Sequence, residues 1–142
     1  MTQTDRMHER LEVFVGRWIN EGVTAGGDVR VVTSDTYEWA PGGCFLVHTA
    51  HGRIGDTAVG GIEIIGADPR NGSYRCEFFD SRGNVSSQVL VERDGVWIWV
   101  GDGARCTLMI SDDGLEMAAH HERQVDNRGW EPAMDVTLRR TA

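Results

Sequence analysis

The sequence predicts an all-β protein, an antiparallel up-and-down barrel of about ten strands behind a short N-terminal helix. Three observations carry this. Glycine makes up 18 of 142 residues, nearly twice its usual share of about 7%, and cuts the chain into short segments. Turn signals recur at Asn71-Gly72, Asp94-Gly95, Asp102-Gly103, Asp113-Gly114 and Arg128-Gly129, each flanked by β-branched or aromatic residues. Between the turns, apolar and polar residues alternate with period two, the spacing of a half-buried strand.

The one helical pattern runs over 5–15, where Met7, Leu11, Phe14 and Val15 fall three or four apart and Asp5 stands at a capping position. It reads as a short lid or plug. Strands are then expected at 17–23, 29–39, 44–51, 58–67, 73–79, 85–92, 96–101, 105–111, 115–124 and 130–139. No linker, repeat or low-complexity tract divides them, so residues 1–142 form a single domain. A meander of this length either leaves two raw edges or closes on itself, and closure removes the edges.

Facing follows from the charged positions. Arg75 and Glu77 toward water turn Tyr74, Cys76 and Phe78 inward; Glu116, His120 and Glu122 outward put Leu115, Met117, Ala119 and His121 inside; Met134, Val136, Leu138 and Arg140 oppose Glu131, Asp135 and Arg139. Closure by an antiparallel seam of the first and last strands brings the start of one beside the end of the other. Trp18 then meets Arg140, with Arg139 as the alternative, and a guanidinium over the indole makes a structural plug worth roughly 0.5–2 kcal/mol. The competing reading leaves Trp18 as ordinary core and Arg140 as a solvated tail.

Charge and composition exclude much chemistry. All 14 basic residues are arginine against 22 acidic ones, for a net charge of −8. Without lysine there is no side-chain Schiff base and no P-loop lysine. The acidic balance argues against nucleic acid and against docking on anionic membranes. The N-terminus is polar where a secretory signal needs an apolar run, and no stretch is long enough to span a bilayer, so a cytoplasmic protein is expected. Cys44, Cys76 and Cys106 are an odd number without a C-x-x-C, which predicts reduced and mostly buried thiols and no metal site.

Several motifs then occur in order: Gly16-Arg17-Trp18 with Glu21-Gly22; Trp39-Ala40-Pro41-Gly42-Gly43 with Phe45-Leu46-Val47-His48; Glu63-Ile64-Ile65-Gly66-Ala67-Asp68-Pro69; Phe78-Phe79-Asp80-Ser81-Arg82-Gly83-Asn84; and Trp130-Glu131-Pro132-Ala133-Met134-Asp135-Val136-Thr137-Leu138. Over nearly the whole chain these resemble a bacterial family known as a domain of unknown function with a calycin-like β-barrel. More loosely, Gly-x-Trp near the start and an arginine near the end are similar to lipocalins, fatty-acid-binding proteins and the haem-binding nitrobindins. The resemblance implies the barrel and a tendency to hold small apolar ligands inside it, and it carries over no catalytic residues. The nitrobindin likeness implies haem as a cofactor on a late histidine, here His121 or His120.

Among residues that carry chemistry, His120 and His121 cannot both point inward on one strand; His121 shares the face of Met117 and Ala119. His48 lies between Leu46 and Ala50, and Cys44 on that face is about 13 Å along the strand, too far for a thiolate–imidazolium pair. Tyr37 and Trp39 share one face, as do Trp97 and Trp99, and these aromatics line a cavity, cover the barrel from outside or join a homodimer. For Trp97 and Trp99 the neighbours Val96, Ile98 and Val100 are equally apolar, and the side stays open. Glu63 interrupts Ile62, Ile64 and Ile65, and alternation places it toward solvent. Asp80 and Asp135 satisfy donors near strand ends.

An eight-stranded barrel is filled by side chains or holds one small ligand, and diameter grows with strand number. The expectation is therefore a small-molecule binding protein holding a mostly apolar ligand, with Tyr37, Trp39, His48, Phe78 and His121 as its walls. Haem binding and a cyclase or isomerase in which His121 or His48 moves a proton are the alternatives.

Overall fold

The computed structural model describes residues 1–126 and 129–141. A capping box starts the helix α1 (Gln3–Leu11): the Thr2 hydroxyl accepts from the Asp5 N–H at 3.0 Å, and the Asp5 carboxylate accepts from the Thr2 N–H at 3.0 Å. The cap is thus Thr2, with Asp5 three positions on as its reciprocal partner. A 3₁₀ turn (Glu12–Phe14) follows, so helical geometry ends just short of Val15. Met7, Leu11 and Phe14 project from one face and are completely buried.

Ten strands follow: β1 (Gly16–Thr24), β2 (Arg30–Trp39), β3 (Phe45–Ile54), β4 (Thr57–Asp68), β5 (Ser73–Asp80), β6 (Val85–Arg93), β7 (Val96–Gly101), β8 (Ala104–Ile110), β9 (Glu116–Gln124) and β10 (Trp130–Arg140). Each pairs antiparallel with its neighbour in sequence, and β1 pairs with β10 to close the barrel. The predicted turns hold. Asp94 and Gly95 both take positive φ (52° and 83°), as do Asp102 and Gly103 (48° and 76°), the mirror-image turn that matches strand twist. Of the Arg128-Gly129 signal, Arg128 lies outside the described residues. At Gly22, a Cβ would stand 2.0 Å from the Asp135 carbonyl oxygen, so the close approach of β1 to β10 requires glycine there.

The seam puts Trp18 opposite Arg140. The guanidinium carbon sits 4.2 Å from the indole centroid, and its N–H groups donate to the carbonyls of Val15, Val13 (2.9 Å) and Gly114 (3.1 Å). The Trp18 indole N–H donates to the Phe14 carbonyl at 2.9 Å. Helix, seam and C-terminal strand are therefore fastened together at one end of the barrel, which the helix closes: Met7, Leu11 and Phe14 pack there with Tyr74, Trp97 and Leu46, and the Tyr74 hydroxyl donates to the Met7 carbonyl at 2.8 Å.

Most inward assignments agree with the alternation, with three corrections. Leu115 is exposed in the turn before β9 instead of inside. Cys44 is exposed, since its β3 begins one residue later, whereas Cys76 is buried. Glu63 points into the barrel, for a reason given below. Trp97 and Trp99 both face inward, leaving Val96, Ile98 and Val100 on the outer side. Asp80 accepts from the Arg82 and Asn84 N–H groups in its turn, while Asp135 instead pairs with the His120 side chain. No helix among the described residues is long and apolar enough to cross a membrane.

Candidate functional site

Opposite the helix the barrel is hollow. The half nearer the β7–β8 turn encloses a chamber of about 400 Å³, a volume typical of small-molecule sites. Phe78, Trp99, Leu108, Ala119, Met134, Val136 and Leu138 give it apolar walls, and Gly101, Asp102 and Ala104 stand at its rim. Phe14 packs against Tyr37, Trp97 and Trp99 with ring centroids 5.4, 4.9 and 6.0 Å apart, so the helical segment forms the floor.

One wall is polar. In β2, the alternation that buries Val31 and Tyr37 also buries Thr33 and Asp35. His48 of β3 stands opposite Tyr37 in register, and Glu63 of β4 stands opposite His48. The imidazole bridges two carboxylates: Nε2 lies 2.6 Å from Asp35 Oδ2 and Nδ1 lies 2.9 Å from Glu63 Oε1. Thr33 Oγ1 donates to Asp35 Oδ1, and the Trp99 indole N–H donates to Glu63 Oε2 at 3.0 Å. Tyr37 stacks on the imidazole, 4.0 Å between centroids and 11° from parallel.

The electrostatics follow from these contacts. Asp35 and Glu63 are 4% and 8% exposed, too dry to remain charged without partners. Burial works against a charged His48, but the hydrogen bonds and charges of Asp35 and Glu63 outweigh it and raise its pKa to about 9. The imidazolium donates from both nitrogens, so neither is free to exchange a proton with a bound molecule while the bridge is intact. Burial beside the same carboxylates pushes the Tyr37 hydroxyl well above its ordinary value, keeping it neutral.

The expected wall residues are partly brought together. Tyr37, His48, Phe78 and His121 all line the chamber. Trp39 does not: it lies at the helix end, edge-on to His8 at 5.5 Å, with its indole N–H donating to Glu12 Oε1 at 2.7 Å. His120 points outward, pairing with Asp135 at 2.6 Å, and this leaves His121 as the inward member of the pair. Burial and then the neighbouring His120 lower the His121 pKa, so it is neutral. Its Nε2 is 3.8 Å from the Cys106 sulfur, whose thiol burial pushes up to about 12. Alternation alone misses Glu63, since it lies in an isoleucine-rich segment whose outer side, Ile62 and Ile64, is itself exposed. Asp35 is missed as well, although its period-two spacing to the buried Val31 and Tyr37 is the signal that places it inside.

Fold and chamber define a closed antiparallel β-barrel with an internal cavity walled by apolar groups on one side and an ionised bridge on the other. The chain belongs to the family described as "Protein of unknown function (DUF1579)", whose model matches residues 3–98. A search of curated proteins finds no match. Among solved structures, the chain is similar to an S-type phycobiliprotein lyase, CPES, from Guillardia theta, with 10% identity, TM-score 0.56, and coverage of 96% of this chain and 93% of that one. It is also similar to a de novo designed fluorescence-activating β-barrel, with 14% identity, TM-score 0.51, and coverage of 92% of this chain and 95% of that one. At these identities the likeness is one of fold.

Proposed function

We propose that the protein binds a small, mostly apolar molecule inside the barrel. The observation that carries this is the chamber itself: about 400 Å³ remains open among aromatic and aliphatic side chains, next to a polar wall able to orient a ligand. Support comes also from two proteins of like fold, one described as fluorescence-activating and one as a phycobiliprotein lyase. Ala119 lines the chamber, so Ala119→Phe puts a benzyl group into it and narrows it. Native mass spectrometry with the neutral probe 1-naphthylmethanol tests the reading and reports the subunit count on which a homodimer depends. The wild type is expected to carry one probe per chain and Ala119→Phe a clearly smaller load, with unchanged far-ultraviolet circular dichroism. Absence of probe on the wild type, or equal loading of both, overturns the reading.

Haem binding is the second reading, favoured by the inward, neutral imidazole of His121. Neutral imidazole is the form that ligates iron. A Soret shift on adding hemin, abolished by His121→Ala and retained in His120→Ala, is the expected result; no shift, or a shift that survives His121→Ala, removes it.

A further inference from the structure

The polar wall has more acceptor capacity than its own groups satisfy. Four donors already serve its carboxylates: both imidazole N–H groups, the Thr33 hydroxyl and the Trp99 indole N–H all point at Asp35 or Glu63. A carboxylate offers about four lone-pair sites, and each of these two receives only two donors from the wall. Two carboxylates share one imidazole between them, so the wall presents more acceptors than donors. Asn20, whose strand position pairs with Thr33, adds a buried Oδ1 with no hydrogen-bond partner.

Among the described residues no arginine offsets this from inside. The one that borders the chamber, Arg105, lies at the rim and is committed to Glu122 through Nε (2.8 Å) and Nη2 (3.1 Å), with its guanidinium 4.6 Å from the Trp130 ring centroid. The Tyr37 and Ser86 hydroxyls and the neutral His121 imidazole can serve either polarity. The Gln88 amide already donates toward the Gly101 and Ala104 carbonyls.

We infer that the ligand is an amphiphilic amine: an apolar body lies against Phe78, Leu108 and Val136, and a cationic or hydrogen-bond-donating head group sits at Asp35 and Glu63. A carboxylate on the same skeleton is disfavoured, because it would bring further acceptors against Asp35 and Glu63 in a wall sheltered from water. This rests on the binding reading above and assigns the ligand class to that site.

Isothermal titration calorimetry at pH 7 with 1-naphthylmethylamine, 1-naphthylmethanol and 1-naphthoate tests it, since the three share a ring system and differ in head group. The amine is expected to bind about tenfold more tightly than the carboxylate, with the alcohol between them. In Glu63→Gln the amine should lose about fivefold while the alcohol stays within about twofold; Asp35→Asn serves as a second neutralising variant if the first does not fold. A carboxylate that binds as tightly as the amine, or an amine preference unchanged in both variants, overturns the assignment and leaves the chamber reading standing. Failure of all three probes to bind overturns both.

Discussion

Raising the pH from 6.5 to 9 should remove a substantial part of the protein's stability through one side chain. His48 is 16% exposed at its side chain and lies between Asp35 and Glu63. Its pKa rises from an ordinary 6.5 to about 9 in the fold. At about 1.4 kcal/mol per tenfold change in proton affinity, the rise is worth about 3 kcal/mol, a large share of the roughly 5–15 kcal/mol that holds a domain together. The sign follows from the proton inventory. Between pH 6.5 and 9 the unfolded chain has released the His48 proton and the native chain still holds it, so stability falls as pH rises. The contribution is fully present below 6.5 and is lost through 9. Urea unfolding at pH 6.5, 7.5 and 9 measures it, with a constant m-value as the control for two-state behaviour. The wild type should lose about 3 kcal/mol over this interval, and a variant with both carboxylates neutralised, Asp35→Asn with Glu63→Gln, should lose only the smaller amount that the buried Cys76 and Cys106 thiols contribute as they ionise in the unfolded chain near pH 9. A wild-type profile flat to within about 0.5 kcal/mol would refute the charged bridge.

Two further outcomes follow from the same structure. Arg140→Met removes the cation over Trp18 and the donors to the Val13, Val15 and Gly114 carbonyls, and should cost about 2–4 kcal/mol in urea unfolding; a loss below about 1 kcal/mol would mean that the seam does not depend on it. Iodoacetamide at pH 8 should label exposed Cys44 first, Cys106 slowly because burial pushes its thiol up to about 12, and Cys76, buried and shifted upward by the same cause, only in denaturant. Peptide mapping over time reads the order, and early labelling of Cys76 would contradict the packing.

The strands are legible because local chemistry marks their ends. Asn-Gly and Asp-Gly pairs fix turn geometry regardless of the rest of the fold, and period-two alternation does the remainder. The Trp18–Arg140 contact is legible for a different reason: once a meander closes, antiparallel pairing of its first and last strands dictates which positions meet. The polar wall is not legible in this way. Glu63 faces inward because its partners are His48, its direct cross-strand neighbour in β3, and Trp99, from β7 across the barrel interior. Their meeting depends on register and closure together. A charged residue in an apolar run reads as solvent-facing until a buried counter-charge is located. Trp97 and Trp99 are ambiguous in sequence because both faces of β7 are apolar, and the row left outside includes the exposed Val100. Trp39 misleads because a shared face with Tyr37 does not mean a shared depth: two residues further along β2, it has passed from the chamber to the helix-covered end.

On the proposed function, the barrel interior holds a molecule other than its own side chains. A crystal structure of the protein grown with 1-naphthylmethylamine tests it directly. Density for the ring between Phe78, Leu108 and Val136, with the ammonium within hydrogen-bonding distance of Asp35 or Glu63, is the predicted result. Phe78 and Met134 swung inward to fill the space, with no probe density, would contradict it.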